Sequence, residues 1–396
     1  MSMGGGGCRV LVKQRIVELD GMRALAILAV MACHFYPFST MLFRVPEFGW
    51  VGVELFFVLS GFLITSILLQ LRTRPNPYRV FYARRILRIF PPYFVVFALV
   101  IGVALWEHDA IAWRRVAQNA LFLQSFSNAG NVLKQMAQVV MGARPVPNLF
   151  APVSLTVALA GFPISGFSTS YSHTWSLSVE EWFYILWAPM VLMLRRRTLV
   201  YACVVLCAVA LFVRWFGFLG VNSYFLFFAR MDVFMGGALL ALWVERRPSL
   251  AVREQRRGDA VIGAVGVGCW AMLAMMIFGL HPVLGREIRE SLLFTVIGLP
   301  LLGFGFVGWM GYVIRHAGSE RMSCRMLRWR PLVTLGVVSY MLYLVHVPIY
   351  FLVTQGAGRM AWDTREYGVA LVVAVLSAGI SIGLAMLSMR YFEGPI

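Results

Sequence analysis

The chain has 396 residues, 60% apolar and only 13% charged, whereas soluble domains carry roughly a quarter charged residues. That composition excludes a disordered chain and argues against a water-soluble enzyme. The formal charge of +17 would suit a nucleic-acid binder, but such a protein needs a polar surface to carry its basic patch, and here the arginines sit between long apolar runs. A polytopic membrane protein whose charges set its orientation fits better.

A membrane-spanning helix needs about 20 mostly apolar residues. Ten such runs follow one another, near 22–43, 50–70, 87–107, 175–194, 198–216, 225–244, 260–279, 290–314, 333–355 and 367–388. None has the strict alternation of a barrel strand, so the predicted fold is an all-α membrane bundle of about ten transmembrane helices. Residues 1–21, with their Gly4–Gly7 run, read as a tail without a cleavable signal. Residues 22–396 read as one membrane domain with a long outer connection near 108–173. Within that connection the Gly-, Pro- and Ser-rich 127–172 stretch leaves two readings open, a re-entrant lid and a plain loop. With the N-terminus inside, the large majority of Lys and Arg outside the runs fall on the inner face, so both termini are expected in the cytoplasm. The six cysteines are scattered, four of them in apolar runs. They have neither disulfide nor metal-ligand spacing and read as small packing residues.

A charge near the centre of a span costs at least about 2.5–3.5 kcal/mol, so ionisable residues inside the runs carry the functional information. In the first run Arg23 and His34 are eleven residues apart, about 16 Å of rise and within about 20° of one helix face. The second run holds Glu54, the fourth His173, Glu180 and Glu181, the sixth Arg230 and Asp232, and the ninth His346. In the assigned topology His34, Glu54, Glu180, Arg230, Asp232 and His346 all fall about 6–14 Å below the outer surface. Plain alternatives exist. Arg230 and Asp232 can neutralise neighbours across helices, His346 can be a hydrogen-bonded core histidine, and Glu54 can be a satisfied buried acid. His34 is suited to removing a proton from a hydroxyl near neutral pH. A carboxylate beside it, such as Glu180, would orient the ring and stabilise the imidazolium.

On the inner side Asp20 and Arg23 open the first run, and Arg84, Arg85 and Arg88 open the third. Arg85 and Arg88 share a helix face, and two guanidiniums so placed can hold a phosphate or diphosphate. Ordinary anchoring at the membrane surface is the alternative. Pro91-Pro92 predicts a helix break just beyond them that would open a local cavity.

These stretches occur together in a known order. LDGMRALAILAVMACH (19–34) carries Arg23 and His34, GVELFFVLSGFLIT (52–65) follows, and ARRILRIFPPYF (83–94) carries Arg85 and Arg88. HTWSLSVEEWFYILWAP (173–189), FARMDVFMGGALLAL (228–242), SYMLYLVHVP (339–348) and the closing 391–395 complete the series. Over almost its whole length the chain resembles the acyltransferase 3 family, integral membrane proteins that O-acylate carbohydrates and related molecules. It departs from the family pattern at Trp182, where Gln is usual, at Val345, where Trp is frequent, and at Gly394, where Arg is usual.

The resemblance implies acyl-CoA, usually acetyl-CoA, as a co-substrate from the cytoplasm, with no bound cofactor and no metal. It implies a saccharide or glycoconjugate hydroxyl as acceptor, reached from the outer side of a bacterial inner membrane, and no nucleic-acid partner. Arg85 and Arg88 would hold donor phosphates with Arg23 further in. His34 would be the general base or carry the acyl group transiently, with Glu180 in support. Asp20, Glu54, Arg230, Asp232 and His346 complete the expected substrate-binding set. Ser60, Ser176, Ser178 and Tyr340 are loose candidates for stabilising the oxyanion. Two other functions stay open: acylation of a small metabolite such as a macrolide sugar, and secondary transport of a polar solute. Transport predicts an internal repeat, of which the sequence shows no convincing trace.

Overall fold

A chain surrounded by hydrocarbon must satisfy its backbone hydrogen bonds internally, and the apolar runs do so as helices. The computed structural model describes residues 15–35, 49–106, 108, 113–126, 137–138, 141, 171–216, 225–279, 293–363 and 366–394, and contains no strand among them. The Gly4–Gly7 run and most of the 127–172 stretch lie outside the described residues.

In chain order come α1 (Val17–Phe35), α2 (Val51–Leu71), α3 (Pro77–Trp106) and the short α4 (Trp113–Ala120). They are followed by α5 (Trp175–Met193), α6 (Arg196–Phe216), α7 (Met231–Arg246), α8 (Val252–Ala274) and α9 (Leu299–Arg315). Short α10 (Met322–Leu327) and α11 (Arg330–Val337) lead into α12 (Ser339–Arg359) and α13 (Tyr367–Ser388). Each of the ten predicted runs has its long helix. The first begins at Val17, inside the stretch read as a tail, so Asp20 and Arg23 stand on helical backbone. α3 runs unbroken through Pro91 and Pro92, contrary to the expected break. Proline keeps helical φ, and its missing N–H frees the Leu87 and Arg88 carbonyls without ending the helix.

Among the described residues seven helices are long and apolar enough to cross a membrane: α2, α3, α6, α8, α9, α12 and α13, some with flanking turns. The other three long helices, α1, α5 and α7, are shorter or carry more polar residues, among them Asp20, Glu180 and Asp232. α2 packs against α1, α5, α7 and α9. α6, α8 and α13 instead present outward rows of apolar side chains, among them Val204, Val205 and Phe212, Val261 and Val265, and Leu371, Val375 and Leu384. Exposed apolar faces around a buried polar centre are what a bilayer selects. The chain is an integral membrane protein.

The α2–α7 seam fixes the centre. A Cβ on Gly61 would come 2.1 Å from the Phe234 carbonyl oxygen, and one on Gly237 would come 2.2 Å from that of Val58. The two backbones therefore touch. Arg230, in the turn that leads into α7, donates across this seam to Glu54 at 2.7 Å, with both side chains wholly buried. One turn on, Asp232 takes a hydrogen bond from Arg214 of α6, again out of contact with water. At the end of α2, Arg72 donates to the Leu194 carbonyl at 2.7 Å and to that of Val191, holding the C-terminal end of α5.

Gly61→Val forces two backbones apart and should destabilise the purified protein by about 1–3 kcal/mol, seen as a lower thermal midpoint in detergent. Gly102, with no atom close to its missing side chain, should accept valine without that loss. Arg230→Met removes one half of a buried pair and should cost about 3–5 kcal/mol. Adding Glu54→Leu should restore part of it in the same melting assay.

Candidate active site

At the end of the bundle where α1 begins and α7 and α9 finish, a cavity of about 570 Å³ opens between α1, α2, α3, α7, α8 and α9. Its walls carry Arg15, Arg23, Arg85, Arg88, Arg247 and Arg315, with Asp20 and Asp259 as the carboxylates. Asp20 is bound by Arg15 at 2.8 Å and lies 3.7 Å from Arg23. Asp259 is bound by Arg247 at 2.9 Å and lies 3.6 Å from Arg315. Arg85 and Arg88, three apart on α3, face the same space and form no ion pair among the described residues. The Arg85 guanidinium instead lies over the Tyr184 ring, 5.3 Å from its centroid.

Arg23, Arg85 and Arg88 also line a narrower cleft of about 90 Å³ that runs on between α2, α3, α5 and α12. Along it Ser60 donates to Glu180 Oε1 at 2.6 Å and the Tyr184 hydroxyl to Glu180 Oε2 at 3.2 Å. The cleft reaches Ser176 and Tyr343, which are bonded to each other at 2.7 Å. An arginine-lined chamber is thus joined, through three shared guanidiniums, to a polar slot inside the bundle.

Beyond Tyr343 three histidines gather from three elements. His34 stands at the end of α1, His173 in the turn before α5, and His346 in α12. His34 Nδ1 lies 2.9 Å from His346 Nε2. His346 Nδ1 and His173 Nε2 each lie 2.8 Å from the Tyr343 carbonyl oxygen. His346 is 5.0 Å from each of the other two rings, centroid to centroid, and those two are 6.3 Å apart. Tyr343 is held in turn, its hydroxyl donating to the His173 carbonyl at 2.8 Å. Among the described residues no group of three or more His, Cys, Asp or Glu has a geometry to hold a metal ion.

The expected residues therefore separate into sets. His34 and His346 meet directly, whereas Glu180, expected beside His34, is bonded to Ser60 and Tyr184 instead. Asp20, Arg23, Arg85 and Arg88 share the large cavity. Glu54, Arg230 and Asp232 form the ion pairs of the α2, α6 and α7 core and are not among the residues lining either cavity. Ser178 donates to the Phe122 carbonyl and Tyr340 to that of Ile89 at 2.9 Å, so both hydroxyl protons are engaged. Trp182, unusual for its position, donates its indole N–H to the same Phe122 carbonyl at 2.9 Å and helps fasten the segment after α4 to α5.

Sequence reasoning passed over four contributors. His173 was noted as ionisable but given no site role, although it shares an oxygen with His346. Tyr343 acts through its backbone, which no side-chain pattern reveals. Arg247 and Arg315 close the arginine chamber from α7 and α9, and were read as anchoring charges. A cluster of arginines at three helix ends destined for the same face was the available signal.

Comparison with known proteins agrees with this geometry. The chain is 26% identical over 397 residues to the peptidoglycan O-acetyltransferase OatA of Listeria monocytogenes, covering 97% of this chain and 56% of that protein. It is 23% identical over 409 residues to the O-acetyltransferase OatA of Staphylococcus aureus, covering 96% and 56%. The chain thus spans a little over half the length of these curated relatives. No solved structure matches it. Residues 16–389 match the family described as an acyltransferase domain, and the chain belongs to that acyltransferase family.

Proposed function

We propose that the protein is a membrane O-acyltransferase that moves an acyl group, acetyl in the first instance, from acyl-CoA on the cytoplasmic side to a saccharide hydroxyl at the outer side. The observation that carries this reading is the arginine-lined chamber opening into a polar slot. Six arginines against two aspartates leave a surplus of positive charge at this end of the bundle, with Arg15 and Arg315 exposed and Arg23, Arg85 and Arg88 further in, and a polyanionic ligand would offset it. The phosphates of coenzyme A supply about four negative charges, and guanidiniums bind such groups with paired hydrogen bonds. The direction of the slot, from the arginine-rich end toward the histidines, fits a donor held at the cytoplasmic face with its thioester carried inward. The positive-inside rule supports assigning that end to the cytoplasm, and with it both termini.

In the transfer His34 acts as general base. The acceptor oxygen attacks the thioester carbonyl while its proton passes to His34, so that a C–O bond forms. The C–S bond then breaks, and the departing sulfur takes the proton back from the imidazolium, leaving the ester and free coenzyme A. The relatives named above suggest the acceptor class, with peptidoglycan in the name of one. A bacterial inner membrane is the corresponding location.

Labelled acetyl-CoA incubated with membranes that hold the full chain, followed by identification of the labelled product, tests the reaction. His34→Ala should lower transfer about 100-fold or more while the protein stays inserted and folded. Near-normal transfer by that variant would remove His34 from the chemistry, and uptake of a solute without any labelled product would favour transport. In purified protein Arg85→Ala and Arg88→Ala should each weaken coenzyme A binding about 10- to 100-fold, since hydrogen bonds to charged groups contribute about 1.5–3 kcal/mol. Unchanged binding would return these arginines to membrane anchoring.

A further inference from the structure

We infer that His346 is a positioning residue that fixes the tautomer of His34, with the Tyr343 carbonyl as the fixed end of the chain of hydrogen bonds. The assignment of a catalytic task to this tautomer rests on the proposed acyl transfer; the tautomer itself follows from geometry alone.

A carbonyl oxygen has lone pairs and no proton, so any nitrogen bonded to it must be the donor. His346 Nδ1, 2.8 Å from the Tyr343 oxygen, therefore carries a hydrogen. A neutral imidazole has one N–H, which leaves a lone pair on His346 Nε2. The 2.9 Å contact to His34 Nδ1 then needs its proton on His34. By the same count His34 has its lone pair on Nε2, and the Val30 carbonyl one turn back on α1 is a further backbone acceptor for the His34 ring. A doubly protonated His346 could also satisfy both contacts. However, it is wholly buried, its hydrogen-bond partners among the described residues are His34 and the backbone carbonyls of Tyr343 and Leu342, and a buried cation without a carboxylate is costly.

Tyr343 is well placed to anchor this chain. Its carbonyl takes a second N–H, from His173 Nε2 at 2.8 Å, and its hydroxyl is fastened to the His173 backbone and to Ser176. The oxygen that sets the proton order is therefore pinned from two helices and a turn. When His34 takes up the acceptor proton on Nε2, its Nδ1–H still points at a neutral acceptor, so the developing imidazolium keeps one strengthened hydrogen bond. Hydrolase triads give this task to a carboxylate; here an imidazole performs it and adds no second buried charge.

The test reads the tautomer directly, with full-length protein in nanodiscs carrying ¹⁵N-histidine and His34→Gln used for assignment. The His34 signals should be those of the Nδ1–H form, the minor form of free imidazole, and in His346→Leu they should move toward the Nε2–H form. An Nε2–H form in the wild type, or an unmoved signal in His346→Leu, would overturn the inference. Should His346→Leu not fold, the wild-type spectrum and His346→Gln still decide it. With labelled acetyl-CoA, His346→Leu should lower kcat about 10- to 100-fold and leave KM for the donor unchanged. His346→Gln, with an amide oxygen near the Nε2 position, should recover at least tenfold of that loss, and His346→Asn should recover less. The expected spectrum with unaltered transfer in all three variants would keep the tautomer lock and overturn the reading of His34 as base.

Discussion

A charge placed among apolar side chains loses its hydration and must be matched by an opposite charge, by hydrogen bonds or by a ligand. That constraint organises this bundle. Where matching is permanent, the charges hold the scaffold: Arg230 with Glu54, and Arg214 with Asp232, tie α2, α6 and α7 into a core that water does not reach. Where matching within the chain is incomplete, a site remains. Arg85 and Arg88 face a chamber that already holds Arg23, Arg247 and Arg315. The carboxylates of that chamber are engaged by Arg15 and Arg247. What remains for α3's two arginines is an anion from outside.

The histidine cluster answers the same constraint without charge. Three imidazoles share the interior of the protein because each can be both donor and acceptor while neutral. Tyr343 lends them a carbonyl of its own helix. The resulting order of protons leaves one lone pair on His34, and the polar slot from the arginine chamber ends at the residues that hold Tyr343. The arginine chamber at one end and the proposed base at the other are linked by packing rather than by a single motif.

Much of this was legible in the sequence. Ten apolar runs gave ten long helices, and the cost of burying charge picked out residues that prove to be buried. Depth, however, is one coordinate of three. His34, Glu180, Arg230 and Asp232 share a depth, yet rotation about the helix axes sends the last two into ion pairs and gives Glu180 to Ser60 and Tyr184. Arg214, near a helix end in LFVRWF, carries no pattern that marks it out, yet it is the buried partner of Asp232. The double proline after Arg88 looked like a break, but α3 continues through it. Tyr343 could not have been found by side-chain reasoning, because its part is played by a backbone oxygen.

In the proposed reaction donor and acceptor meet from opposite ends of one bundle. Sealed vesicles of defined orientation test this most directly, with impermeant acyl-CoA supplied to one face and the saccharide acceptor confined to the other. Ester should form when acyl-CoA is on the face of Arg15, Arg247 and Arg315 and the acceptor is opposite, and should not form with the two exchanged. Ester formed with both substrates confined to a single face, or in either orientation alike, would contradict it.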